Sequence, residues 1–278
     1  MPLQSFELHL DISSEISAVD ILEQNCSLSK SQIKAVMHKG AVWLTQGKKT
    51  TRLRRAKKQL KPNQTLHMYY SEQALSDDFV KPTLIEDCGD YSIWNKPSGM
   101  MSQGSKWGDH STIARYAEVV LSPQRAAFIV HRLDRATQGV ILVAHTKSAV
   151  RALTQLFEQR EIVKKYQAVV SGELKEVMEF TADIEGRRAY TKAQSIRYNP
   201  NSNMSLLDIE IGSGRKHQIR RHLSGAGLAI VGDRLYGETP QDSSINLQLC
   251  AYHLHYTCPI SHDEKIIEIT PQLLISGE

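Results

Sequence analysis

Long apolar runs are missing from this sequence. Stretches such as 140–144 end after a few residues, whereas a membrane-crossing helix needs about 20, so a helical transmembrane protein is excluded. The amino terminus shows no charged-then-apolar pattern, and an unexported, cytoplasmic protein is expected. Cysteine is sparse. Cys26, Cys88, Cys250 and Cys258 contain no C-x-x-C pair, which argues against a disulfide framework and an ordinary zinc ribbon. Cys250 and Cys258 share a segment with His253 and His255, but that segment alternates like a strand and would split the four groups between two faces. No metal is expected there. Internal repeats and low-complexity tracts are also lacking, which excludes a solenoid.

Acidic residues are absent from Gln24 to Ser71. Residues 1–70 hold eleven Lys and Arg against five acids, a net of +6 in a chain whose total is +4. A solvated face normally mixes signs, so this one-signed stretch points to a polyanion, with nucleic-acid phosphates foremost.

A chain of 278 residues, 41% hydrophobic and 23% charged, is ordinary for a soluble globular protein and long enough for two domains. Residues 1–70 read as a small α/β unit. Ser29 and Gln32 have capping-box spacing, Ile33, Val36 and Met37 give one apolar helical face, and Gly40 can close the helix. Short strands follow at 41–44 and 66–70, with a turn at Gln46-Gly47. Lys30 and Lys34 are i,i+4 neighbours on that helix. Together with Arg52, Arg54 and Arg55 they are the candidate phosphate contacts. This layout resembles an S4-type RNA-binding domain over about residues 16–70, with Asn63-Gln64 where that family often has a glycine-aspartate turn.

Residues 71–82 are polar and read as a linker to a second domain, 83–278. There, strand-like runs (91–94, 128–130, 140–144, 166–170, 206–211) alternate with helical ones (113–121, 149–159, 217–223), indicating an α+β fold around a mixed sheet. Three segments in it could carry chemistry. The first is H-R-L-D-R-A-T-Q-G at 131–139, a polar loop between apolar runs, where scaffolds present side chains to ligands. Alone, Asp134 is better explained by a turn or a local ion pair with Arg132 or Arg135. The second is G-S-G-R-K-H-Q-I-R-R-H at 212–222. Glycines leaving a strand, followed by basic residues at a helix start, suggest an anion site. G-x-x-x-x-G-K-[ST] is not met, so a nucleotide-binding loop is discarded. As a helix this segment would pair Lys216 with Arg220 and His217 with Arg221 at i,i+4, like charges that repel unless neutralised; a basic solvated helix stays the alternative. The third is K-K-Y at 164–166, whose Tyr166 taken alone reads more readily as a core residue.

In this order the segments resemble the motifs of the RluA-type pseudouridine synthases: H-R-L-D-x-x-T-S-G, K-x-Y and G-R-x-H-Q-I-R-x-H. N-K-P-S-G at 95–99 and V-G-D-R-L-Y-G at 231–237 are similar to two further motifs of that family. The likeness spans about residues 83–270. It implies a mixed-sheet catalytic domain that isomerises uridine in structured RNA without a cofactor, preceded here by the small α/β S4-like domain. Carried over by position, Asp134 is the nucleophile at the ribose or the base, Tyr166 lies against the target base, and Arg220 pairs with Asp134. Arg132 enters the RNA stack where the uridine leaves it, with His131, Arg215, His217 and Gln218 as further RNA contacts. Gln138 stands where the family usually has serine, and Cys250 where it has the histidine of a later L-H-A motif. The expected partner is RNA, ribosomal (large subunit) in preference to transfer RNA, met by a monomer. The alternative is a non-catalytic RNA-binding or ribosome-assembly protein of the same fold.

Overall fold

A computed structural model of the chain describes residues 4–237 and 244–274. The chain divides into two compact units, residues 1–79 with 103–119, and residues 80–102 with 120–278.

The first unit holds β1 (Ser5–Asp11), β2 (Ile16–Ser17), α1 (Ala18–Asn25), α2 (Lys30–His38), β3 (Val42–Gln46), β4 (Lys49–Arg52), β5 (Gln59–Leu60) and β6 (Gln64–Ser71). The order β1-β6-β3-β4 makes an antiparallel sheet, and β2 pairs with β5. The capping box at Ser29 forms, its hydroxyl accepting from Gln32 N–H while the Gln32 side chain accepts from Ser29 N–H. Two orphan amides at the start of α2 are thereby satisfied. Ile33, Val36 and Met37 then enter the core with Leu22, Leu44, Leu66 and Met68.

This division differs from the expected one in two places. Leu75, within the expected linker 71–82, is buried in the first core. Residues 103–119, within the expected domain 83–278, belong to the first unit and lead into α3 (Ile113–Val120). The cause is a carboxylate that meets two guanidinium groups. Arg52 Nη1 and Arg54 Nη2 reach Asp109 Oδ2 at 2.8 and 2.5 Å. Trp43 Nε1 also donates to Lys106 O at 3.0 Å.

The second unit holds β7 (Thr83–Asp87), β8 (Tyr91–Lys96), β9 (Phe128–Ile129), β10 (Gln138–Ala144), α4 (Lys147–Glu158), β11 (Val163–Ser171), β12 (Met178–Phe180), β13 (Thr191–Asn199), β14 (Met204–Ile211), α5 (Gln218–Gly225), β15 (Leu249–Thr257) and β16 (Glu264–Glu268). Its sheet runs β12-β13-β14-β11-β15-β10-β8-β7, with β16 added to β15 and β9 to β10. Among the described strands only β10 and β15 pair in parallel, so the sheet is mixed as expected. Two apolar clusters flank it. Ala149, Leu153 and Leu156 of α4 pack with Tyr91, Val140 and Leu142. Ile219 and Leu223 of α5 pack with Ala168, Leu207 and Ile209.

The parallel contact depends on Gly139. Its φ is +124°, and a Cβ there would lie 2.2 Å from Ala251 O, far inside contact distance. The missing side chain lets β10 press onto β15 just where the 131–137 loop enters the sheet. Gly139→Ala must part the strands or strain the backbone, and should lower stability by about 2 kcal/mol or more, read as a reduced urea midpoint at unchanged m-value.

Candidate active site

The loop 130–137 between β9 and β10 is fixed at both ends. At its start, His131 Nε2 accepts from Leu142 N–H at 2.9 Å and its ring stacks on Phe157 of α4, centroids 4.2 Å apart. Burial pushes the His131 imidazole down to about 3, so it stays neutral with Nε2 free to accept. At the far end, Thr137 N–H donates to Asp134 O at 3.1 Å. Between them, the segment after β8 holds the loop carbonyls. The Ser102 hydroxyl donates to Leu133 O at 2.8 Å and accepts from Leu133 N–H at 3.1 Å. Gly99 N–H donates to Arg135 O at 2.8 Å, and the Ser98 hydroxyl to Ala136 O at 2.8 Å. Lys96 underlies this cradle. Its buried Nζ donates to Met100 O at 2.8 Å and Pro97 O at 3.1 Å, and approaches Arg135 O at 3.5 Å. The N-K-P-S-G segment thus positions the Asp134 loop, a physical role that its sequence alone did not disclose.

The opposite wall comes from residues 212–222. α5 begins only at Gln218, and His217 is its left-handed N-cap residue, φ 55°, with no side-chain cap. Lys216 and His217 therefore lie outside the helix, and the like-charge i,i+4 pairs expected there do not form. Gln218 is an internal hub. Its Oε1 accepts from the Ser213 hydroxyl at 2.7 Å and Arg215 N–H at 3.1 Å, and its Nε2 donates to Tyr190 O at 2.8 Å and the Thr191 hydroxyl at 3.0 Å. The Arg215 side chain donates to Arg188 O at 3.2 Å.

Arg220 was expected on Asp134. It pairs with that carboxylate through a single nitrogen, while its planar fork closes on Asp233, Nε to Oδ2 at 2.8 Å and Nη2 to Oδ1 at 2.6 Å. The remaining Nη1 reaches Asp134 Oδ2 at 3.9 Å. Asp233 also accepts from the amides of Leu235 and Tyr236. Burial opposes charge on Arg220, but the bond to Asp233, its charge and that of Asp134 leave the guanidinium pKa raised. Burial likewise pushes Asp233 up, yet Arg220 and the two amides hold it below the usual carboxylate range. Side-chain exposure separates the two acids: Asp233 is 1% exposed, Asp134 29%. His217 Nε2 lies 3.9 Å from the same Asp134 oxygen, and its Nδ1 meets the Tyr236 hydroxyl at 2.9 Å. Burial depresses the His217 pKa, against the pull of Asp134.

These walls enclose a cavity of about 540 Å³, lined by Arg132, Asp134, Tyr166, Lys216, His217 and Arg220 among others. Asp134, Tyr166 and Arg220, far apart in sequence, thus share one space. Burial, then the charge of Asp134, pushes the Tyr166 phenol well above its ordinary value. His131 and Gln218 are committed to internal bonds, whereas Arg132 is exposed at the cavity.

In the first unit, Lys30 pairs with Asp20 and Glu23 at 2.8 and 3.3 Å, and Arg52 and Arg54 are held by Asp109. Lys34 and Arg55 are exposed.

Residues 90–225 match the RNA pseudouridylate synthase family. The dual-specificity RNA pseudouridine synthase RluA of Haemophilus influenzae is 35% identical over 189 residues, 61% of this chain and 84% of that protein. The chain belongs to the RluA-type RNA pseudouridine synthases. An uncharacterized RNA pseudouridine synthase of Chloroflexus aurantiacus is 33% identical over 181 residues, 58% of this chain; the match spans little more than half, 56%, of that relative. The solved structure of human RNA pseudouridylate synthase domain containing 1 matches the fold at a TM-score of 0.58 and 20% identity, over 71% of this chain and 91% of that one. In this chain the sequence motifs contained Asp233 and Lys96, but nothing in them showed that one neutralises Arg220 and the other supports the Asp134 loop.

Burial pushes Lys96 down to about 7, against the pull of Asp134. An unfolded lysine titrates near 10.5, so between these values the unfolded chain binds more protons and stability rises with pH. The wild-type urea midpoint should therefore climb between pH 7 and 10 relative to that of Lys96→Met, by up to about 1.4 kcal/mol per pH unit. Parallel curves would show that Lys96 stays charged throughout.

Proposed function

We propose that this protein converts uridine to pseudouridine within structured RNA, with large-subunit ribosomal RNA as the favoured substrate. The observation that carries the reading is Asp134, an accessible carboxylate facing a buried guanidinium whose own neutralisation comes from Asp233.

The reaction breaks the N1–C1′ bond, turns the uracil while it stays bound, and rejoins it through C5. N1 ends with a proton and C5 loses one, so no atom is gained or lost. Asp134 acts at the sugar, either by attacking C1′ or by removing the C2′ proton. Arg220 Nη1 orients it through charge at a distance slightly beyond a direct hydrogen bond. Tyr166 offers a flat face to the base, and as a neutral phenol it is suited to donate a hydrogen bond or relay the C5 proton. Extruding the uridine costs on the order of a few kcal/mol, and Arg132, exposed on the loop, is the side chain available to occupy the vacancy. The ribosomal preference rests on the basic first unit and its S4-like layout, since synthases carrying such a domain commonly act on large-subunit ribosomal RNA.

Asp134→Asn should abolish turnover while leaving RNA affinity within about two-fold, because the change keeps shape and removes only the reacting charge. Carbodiimide treatment of RNA from strains with and without the protein reads the product as reverse-transcription stops; stops that persist in the strain lacking it would favour a purely RNA-binding protein.

Phosphate attraction by the first unit is separately measurable. Lys34, Arg55, Lys57 and Lys58 are all exposed. Replacing all four by Gln should flatten the dependence of log affinity on log salt by roughly 0.7 to 0.9 per lost phosphate contact, and an unaltered slope would leave these side chains without an RNA role.

A further inference from the structure

Three Lys and Arg side chains are buried among the described residues, and two have partners within the protein: Arg220 has Asp233, and Lys96 has backbone carbonyls. Lys164 is the exception. It is 8% exposed, yet no carboxylate pairs with it among the described residues. It lines the same cavity as Asp134, as does Arg160 at the end of α4. Lys164 and Tyr166 are two apart on β11 and so emerge on one face of the strand. The bulge between β11 and β15 does not disturb this, because the extra residue, Tyr252, lies on β15.

The surroundings offer Lys164 no compensation. Burial and then the charge of Arg160 lower its pKa, and its own charge is felt at His131. Phe157 and Thr154 complete this wall, with Glu158, an exposed carboxylate, at the surface. A like-charged pair facing one cavity is costly unless an anion enters. The carboxyl end of α4 accounts for an arginine at 160, but it does not account for a buried lysine on the neighbouring strand.

We infer that Lys164, assisted by Arg160, forms a phosphodiester subsite that takes the backbone phosphate of a nucleotide adjoining the one bound over Asp134. The inference rests on the proposed RNA substrate, whose only fixed anion is that phosphate. An ammonium serves as a point charge for such a group without needing the planar geometry of a guanidinium. The subsite makes Lys164 a positioning residue: with the phosphate held, the ribose is set against Asp134.

The probe is heptauridylate, titrated against the full-length protein over a range of salt concentrations. Lys164→Gln should weaken binding about five-fold near 0.1 M salt and reduce the log–log slope by about 0.7, the value for one phosphate contact on a single strand. Lys164→Arg should restore most of both. With heptauridylate whose linkages are all uncharged methylphosphonates, wild type and Lys164→Gln should bind alike. Thermal unfolding supplies a readout that a structural lysine would fail. Removing an uncompensated buried cation should leave the melting temperature unchanged or raised, whereas loss of a structural contact lowers it. Equal salt slopes for wild type and Lys164→Gln, a difference that persists on the uncharged oligomer, or no binding of heptauridylate by wild type would each overturn the subsite. Binding is read without turnover. A slope change with no pseudouridine formed sinks the proposed reaction and keeps the subsite, and the reverse outcome sinks the subsite alone.

Discussion

The site is organised around the buried bidentate bond between Arg220 and Asp233. Keeping the charge on a guanidinium 5% exposed is costly without a nearby anion, and the amides of Leu235 and Tyr236 hold that anion in place. Were Asp134 the only carboxylate available, it would have to turn inward to meet Arg220 and would be withdrawn from the cavity. Because Asp233 takes the fork of the guanidinium, Asp134 can stand 3.9 Å from Nη1, close enough to feel the charge and open enough to act. The group of three carries one net negative charge, located on the accessible acid. Gly232 makes the arrangement possible: its φ is +77°, and a Cβ would fall 2.3 Å from Asn246 O. The chain therefore turns tightly there before presenting Asp233.

The role proposed for Asp134 also needs a backbone that holds the carboxylate still. The carbonyls of Leu133, Arg135 and Ala136 each receive a donor from the segment 98–102, and Leu133 is bonded at both its amide and its carbonyl by one hydroxyl. Pairing on both sides of Asp134 fixes its backbone while its side chain stays at the cavity. His131 serves the same end from the other direction. Burial removes its charge, which leaves Nε2 as an acceptor for Leu142 N–H and ties the loop to the centre of β10. A charged imidazole could not accept that bond.

Much of this was legible in the sequence. Strands β8 to β11 and β14 and helices α4 and α5 of the second unit follow from alternation and apolar periodicity, and the capping box at Ser29 from residue spacing, whereas the largely exposed strands β7, β12, β13 and β16 carry no such signal. Asp134, Tyr166 and Arg220 converge in one cavity as their motifs imply. What sequence alone could not supply is which charge meets which. The stretch 24–71 lacks acids, yet Arg52 and Arg54 are neutralised by Asp109 and Lys39 by Asp77, carboxylates brought in from beyond it. The basic face is smaller than its composition suggests, and Lys34 and Arg55 represent it better than Arg52 and Arg54 do. Gln218 and His131 look like ligand contacts because they are polar within basic or loop segments, but all four side-chain hydrogen bonds of Gln218 are internal.

The buried cations of the second unit differ in the hardness of their compensation, and that difference tracks what each can do. A carboxylate such as Asp233 fixes Arg220 in charge and direction. Carbonyl dipoles satisfy the Nζ of Lys96 but provide no countercharge, so burial still drives its pKa down to about 7 while its geometry ties the loop together. Among the described residues no carboxylate or carbonyl pairs with Lys164, and an uncompensated charge at that depth lowers stability. A fold retains such a cost where the missing partner arrives from outside, as functional sites commonly do at the expense of stability. On this argument the basic walls of the cavity suit a polyanion, and Asp134, the lining carboxylate set beside a guanidinium, lies where a sugar carried by that polyanion would have to approach.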